Sequence, residues 1–208
     1  MAELTDSLNE LLQGREAQIS RRIGADEDQT RAAIRTAVPA LLAALSQQAR
    51  PGTGLQQAIE RDHDGSILDQ LDAYLGGSAQ LSPRTTNGAG ILEHTLGARQ
   101  QDLERRLSGK SGLDAGSIAK LLITLAPLLM GMLGKKGRSS GGGGIDIDDL
   151  GGLLNREKED ARSTNPDIGD ILDSFTGGGS AGTSGSGTSS GGGVGGILDS
   201  ILGRKREG

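Results

Sequence analysis

The sequence predicts an all-α protein: two pseudo-repeat helical halves followed by a low-complexity, flexible tail. Three observations carry that prediction. Apolar residues recur at three- and four-residue steps, as in Ile34, Ala37, Val38, Leu41, Leu42 and Leu45, which lines one face of a helix. A glycine precedes a proline by 15 positions twice over, Gly24 to Pro39 and Gly112 to Pro127. Of the 36 glycines, 15 lie in residues 1–134 and 21 in 135–208, so the C-terminal part is too rich in Gly and Ser to build a core. The expected division is a helical domain at 1–134 and a tail at 135–208. Within the domain, halves 4–50 and 88–134 flank a short helical region at 53–77.

The first half opens with a helix over about Asp6–Ile23, with Gly14 inside it at a cost of about 1 kcal/mol against Ala. Asp26 follows a Gly-Ala pair, where a carboxylate can accept the orphan N–H groups of a helix start. A long helix then carries the apolar stripe through Pro39. Pro51-Gly52-Thr53-Gly54 breaks the chain before Leu55–Glu60, and Asp64 caps a short helix from Ser66 to Leu75 that ends at Gly76-Gly77. Ser82 to Gly90 reads as a polar loop.

The second half repeats the plan: a helix over about Gly90–Leu107 with Gly97 inside it, then Asp114 as cap, then a long helix through Pro127. Asp26 matches Asp114, Ile34 matches Leu122, and Leu45 matches Leu133, with Ser108-Gly109-Lys110-Ser111 as an insertion. A proline inside a helix removes a hydrogen bond and costs about 3 kcal/mol. The same cost in the same register twice points to a required bend that wraps each helix around the core.

The run Asp64-Gly65-Ser66-Ile67-Leu68, the segment Gly90-Ile91-Leu92-Glu93-His94-Thr95-Leu96-Gly97 and the segment Leu125-Ala126-Pro127-Leu128-Leu129-Met130-Gly131 together resemble the YidB-like bacterial family, domain of unknown function 937. The resemblance covers about residues 4–134. It implies an all-α fold with a homeodomain-like arrangement of helices, and it brings no activity, catalytic residue or ligand residue with it. The tail lies outside it.

The tail holds short apolar clusters between its Gly and Ser tracts: Ile145 to Leu154, Ile168 to Phe175, and Gly196 to Gly203. The last two share the form Ile-Leu-acid with an apolar residue four places after the Ile, which puts three side chains on one helix face. Such pieces are too short to hold a helix alone in water. Seated in a groove, three or four apolar side chains gain roughly 5–9 kcal/mol gross, much of it consumed by ordering the chain. The expectation is weak, multivalent docking through Ile171, Leu172, Phe175, Ile197, Leu198, Ile201 and Leu202, onto the same chain or another protein. Residues 177–196 span roughly 25 Å as a flexible coil, enough to reach back.

Other chemistries find less support. Charge is −3 over residues 1–134 (13 basic, 16 acidic) and −2 over 135–208 (9 basic, 11 acidic), without the positive field of a nucleic-acid binder. A recognition helix at Asp28–Leu45 offers only Arg31 and Arg35 before turning apolar, so DNA binding is the alternative rather than the reading. Membrane-surface association through Ile197 to Leu202 and Arg204-Lys205-Arg206 is the other alternative, with an apolar face of one or two turns. The apolar run Leu121–Leu133 is shorter than the roughly 20 residues of a membrane span, and reads as a core helix. Asp62-His63-Asp64 with Asp69 and Asp72 lacks the glycine spacing of a calcium loop and reads as a helix cap with solvated acids. The histidines, His63 and His94, have no zinc-ligand spacing, and nothing resembles a nucleophile elbow or a phosphate loop. The expectation is therefore no enzyme, no cofactor and no metal. Absent cysteines and an N-terminus without a signal-peptide pattern suit the cytoplasm.

Overall fold

The computed structural model describes residues 3–50, 54–139, 147–164 and 169–171. All regular structure among the described residues is helical. The first set is α1 (Glu3–Leu12), α2 (Glu16–Ile23) and α3 (Glu27–Gln48); three short helices follow, α4 (Leu55–Asp62), α5 (Ser66–Asp69) and α6 (Leu71–Leu75). The second set is α7 (Gly88–Leu96), α8 (Gln100–Ser111) and α9 (Ala115–Ser139), and α10 (Ile147–Thr164) comes last.

The two sets share their local chemistry. Gly24 closes α2 and Gly112 closes α8, both at φ 76°, a left-handed conformation that costs other residues about 1–2 kcal/mol. Asp26 accepts the backbone N–H groups of Asp28 and Gln29 at the start of α3. Asp114 accepts the N–H and the hydroxyl of Ser117 at the start of α9. Both long helices run continuously through their prolines. They pack on each other, and each also packs on the shorter helix that precedes its partner, α2 on α9 and α8 on α3. At these crossings Lys120 Nζ donates to the last carbonyl of α2, Ile23 O, and the Ser117 hydroxyl that is given to Asp114 lies 3.5 Å from the same oxygen.

Several expectations change in detail. The helices expected at Asp6–Ile23 and Gly90–Leu107 are each two helices, because Gly14 and Gly97 sit at φ 79° and 51° and turn the chain instead of continuing it. The turn after Gly97 is a single 3-10 turn to Arg99. The insertion at Ser108 to Ser111 takes the form of a final turn of α8, which has 12 residues against 8 in α2, and four residues are close to one helical turn. Leu103, Leu107 and Ser111 therefore stay on one buried face. The helix expected over Ser66–Leu75 is interrupted at Gln70.

The helical region also continues beyond the boundary expected at 134. Helix α9 runs to Ser139, and α10 occupies a stretch read as tail. Leu150, Leu154 and Ala161 are buried along α10. That apolar stripe at helical spacing has a partner face to cover, which composition alone does not reveal.

Small residues set the depth of the α9 crossings. A methyl at Gly134 would overlap the His63 carbonyl at the end of α4, and one at Gly131 would lie 2.6 Å from Ile67 of α5. A methyl at Gly88 would overlap the carbonyl of Ile123. Pro127 has no N–H for that carbonyl, so the close Cα–H of Gly88 faces the group the proline left without its helical donor. The next carbonyl, Thr124 O, accepts from the Tyr74 hydroxyl at 3.2 Å. Tyr74 thus brings its ring into the core and its polar end to the helix backbone beside the proline.

Candidate functional site

The feature that stands out from the helical body is the seat of α10. This helix packs mainly on α3 and touches α1. Its inward residues are Leu150, Leu154, Glu157 and Ala161, spaced four, three and four apart, a single stripe down one helix face. Near its start, Gly151 passes the end of α3: a Cβ there would stand 3.2 Å from Ala49 O and 3.8 Å from Ala49 Cβ.

Glu157 lies in the middle of this stripe and is only 2 % exposed. Its carboxylate accepts from Leu4 N at 2.8 Å, and from Thr5 N at 3.1 Å and Thr5 Oγ1 at 3.0 Å. These N–H groups belong to the first turn of α1, which has no helical partners of its own for them. A side chain some 150 positions away in sequence therefore acts as the cap of α1, and the positive end of the helix dipole compensates its burial. Lys136 of α9 adds an exposed ion pair with Glu3, which lowers the Glu3 carboxyl below its ordinary range.

Of the side chains the sequence singled out for docking, Ile171 is buried, 1 % exposed, and belongs to the same core cluster. Leu172, Phe175, Ile197, Leu198, Ile201 and Leu202 lie outside the described residues. The expectation named the cluster up to Leu154 as apolar but missed Glu157, which looks like one more solvated charge in Arg156-Glu157-Lys158-Glu159-Asp160. Its position on the Leu150–Leu154–Ala161 stripe was the available signal.

The other polar groupings have local explanations. Asp62 pairs with Arg61 at 2.7 Å, which lowers its carboxyl. Asp64 accepts from Ser66 N at 3.0 Å, and its hydrogen bonds with Ser66 hold its carboxyl low. Asp72 pairs with Arg15 at 2.7 Å. Between Asp62 and Asp64, His63 is buried; its Nδ1 finds no hydrogen-bond partner among the described residues, and burial pushes its pKa down against the pull of both acids. No group of three or more His, Asp or Glu among the described residues is placed to hold a metal ion.

An open recess of about 630 Å³ lies between α2 and α6, lined by Gln18, Arg21, Arg22, Asp72, Leu75 and Gly76. Its cations are engaged with the fold. Arg22 donates to Tyr74 O at 3.0 Å and Leu75 O at 3.3 Å, stacking 5.1 Å above the Tyr74 ring, and Arg21 donates to Ala17 O. Arg31, the first candidate for base contact, is paired with Glu16, Glu27 and Asp28; Arg35 is exposed. Helix α9 is the one described helix long and apolar enough to cross a membrane, and 78 % of that window is buried inside the fold.

A family model described as a bacterial protein of unknown function (DUF937) matches residues 6–136. No curated protein and no solved structure matches the chain. The match ends within α9, so α10, with Glu157 on it, falls beyond the match.

Proposed function

The chain belongs to the bacterial family of unknown function DUF937, and we propose that it is a non-enzymatic interaction protein of the cytoplasm. In this reading the family-matched helices form a scaffold built on a duplicated helical unit, and C-terminal segments dock on it in cis or in trans. The observation that carries the reading is α10: an amphipathic helix beyond the matched region that buries Leu150, Leu154 and Ala161 and caps α1 through Glu157. The burial of Ile171 supports extending the docking to the following apolar segments, with Leu172, Phe175, Ile197, Leu198, Ile201 and Leu202 as the proposed contacts. The duplicated unit is supported by the paired Gly24–Asp26–Pro39 and Gly112–Asp114–Pro127 series.

The nucleic-acid alternative is weakened by the three carboxylates around Arg31. Truncation after Ser139, compared with the full chain by light scattering and circular dichroism across dilutions, tests the docking. The shortened chain is expected to unfold earlier and to associate through the uncovered face of α3. Two chains that are both monomeric at every dilution and share one unfolding midpoint would sink the reading.

A further inference from the structure

The seat of α10 is complete without α10. Its floor is α3 and its polar end is the first turn of α1, both formed by the chain before residue 50. The helix that fills it buries Leu150 and Leu154, with Leu153 partly buried beside them and Glu157 and Ala161 on the same stripe. Its tether, 140–146, is seven residues with four consecutive glycines in its sequence, a reach of at most about 25 Å. None of the contacts across this seat depends on which copy supplies the helix: the Leu stripe, the passage of Gly151 past Ala49 and the hydrogen bonds to Leu4 and Thr5 are the same either way.

We propose that the α3–α1 seat is an exchangeable docking surface whose second occupant is α10 of another copy of this chain. The proposal rests on the docking reading above and names its partner in trans. Recognition is by a helix with apolar residues at i, i+4 and i+11 and a carboxylate at i+7, a combination the chain itself provides. Competition between the two occupants is set by concentration. A short tether holds the cis helix at an effective concentration of about a millimolar, so at tens of micromolar the trans form is of order one per cent. It grows in proportion as the protein is concentrated, as in domain swapping.

The chain has no cysteine, which allows a clean trap. Ala49 Cβ and a Cβ at Gly151 would be 3.8 Å apart, the usual separation in a disulfide. The full chain carrying both Ala49→Cys and Gly151→Cys should close intramolecularly on mild oxidation and run as a monomer. An Ala49→Cys chain mixed with a mass-tagged Gly151→Cys chain should form a mixed covalent dimer, with the initial fraction trapped per unit time rising about tenfold for a tenfold rise in concentration. A Gly109→Cys chain, whose cysteine would sit on α8 with no atom within 4 Å of the new Cβ, measures random collisions when mixed with Ala49→Cys. The specific pair should exceed that background about tenfold. If the double variant closes but the mixed pair stays at background, exchange is refuted while cis docking stands. If the double variant does not close, the docking reading itself fails. A measurement free of substitutions guards against local distortion. The unmodified chain, incubated at millimolar concentration and quickly diluted, should show a dimer by light scattering that decays to monomer, and a monomer at every concentration would overturn the exchange.

Discussion

Replacing Glu157 tests how far α10 is part of the folded body. Glu157→Ala removes the acceptor of three hydrogen bonds at the first turn of α1. Hydrogen bonds to charged groups contribute about 1.5–3 kcal/mol each, but these three do not add. Thr5 is only half-buried and its N–H and hydroxyl share one carboxylate oxygen, so water replaces part of what they lose. The hydrogen bond from Leu4 N is fully buried and its donor stays dry. The expected loss is therefore about 2–4 kcal/mol in urea unfolding of the full chain followed by circular dichroism. Its upper limit is the free energy that holds α10 in place, since an undocked α10 leaves these N–H groups to solvent. Glu157→Gln keeps an acceptor for Leu4 N but turns an NH2 toward Thr5 N–H, and should lose about half as much. Glu159→Ala, two positions along and exposed, is the control and should stay within about 0.5 kcal/mol of the parent. A Glu157→Ala chain as stable as this control would refute the capping argument, and with it the account of why a carboxylate is buried there.

Gly134→Ala should destabilise by about 2 kcal/mol, because the overlap with the His63 carbonyl outweighs the helix preference for Ala. Gly109→Ala, with open space around it on α8, should raise the melting temperature; a fall for Gly109 or no change for Gly134 would contradict the packing. Asp26→Ala should cost about 1 kcal/mol as a lost helix cap, read by the same urea titration. His63 has a depressed pKa in the fold through burial, so the unfolded chain binds the proton more readily. Its contribution is intact above about pH 6.5 and is lost as pH falls toward the depressed value. His63→Phe should flatten the slope of stability in that window, and an unchanged slope would show that burial does not hold the ring neutral. Asp114, held low by its hydrogen bonds with Ser117, acts on the acid side. Its cap is present above the ordinary carboxylate range and is lost as pH falls through its lowered value, so Asp114→Ala should matter less in acid.

The register of the fold was legible because its signals are local. A left-handed glycine, a capping aspartate and a helical proline each act on their own few residues, so Gly24, Asp26 and Pro39 announce themselves, and so do Gly112, Asp114 and Pro127. Gly14 and Gly97 were harder. A glycine within an apolar period is compatible both with a tolerated interior residue and with a break, and only their positive φ distinguishes the two. Glu157 was not legible as a contact, because its partner is the first turn of α1, some 150 positions away. Nor were Gly131 and Gly134, whose meaning depends on how closely α5 and α4 approach α9.

A buried carboxylate in the middle of an apolar stripe also fixes what the seat accepts. Moving α10 one turn along α3 would keep leucines against apolar surface but carry Glu157 away from Leu4 N and Thr5 N, leaving a charge without donors in a dry contact, at a cost of several kcal/mol. An apolar helix without the acid gains the burial and leaves the Leu4 N–H unpaired. The segment Ile197-Leu198-Asp199-Ser200-Ile201-Leu202 has its acid two positions after the isoleucine, off the stripe that an i, i+4 apolar pair defines. Leucines supply most of the attraction at this seat and Glu157 supplies its register. That division of labour is what lets a weakly held helix return to one position, in its own copy or in another.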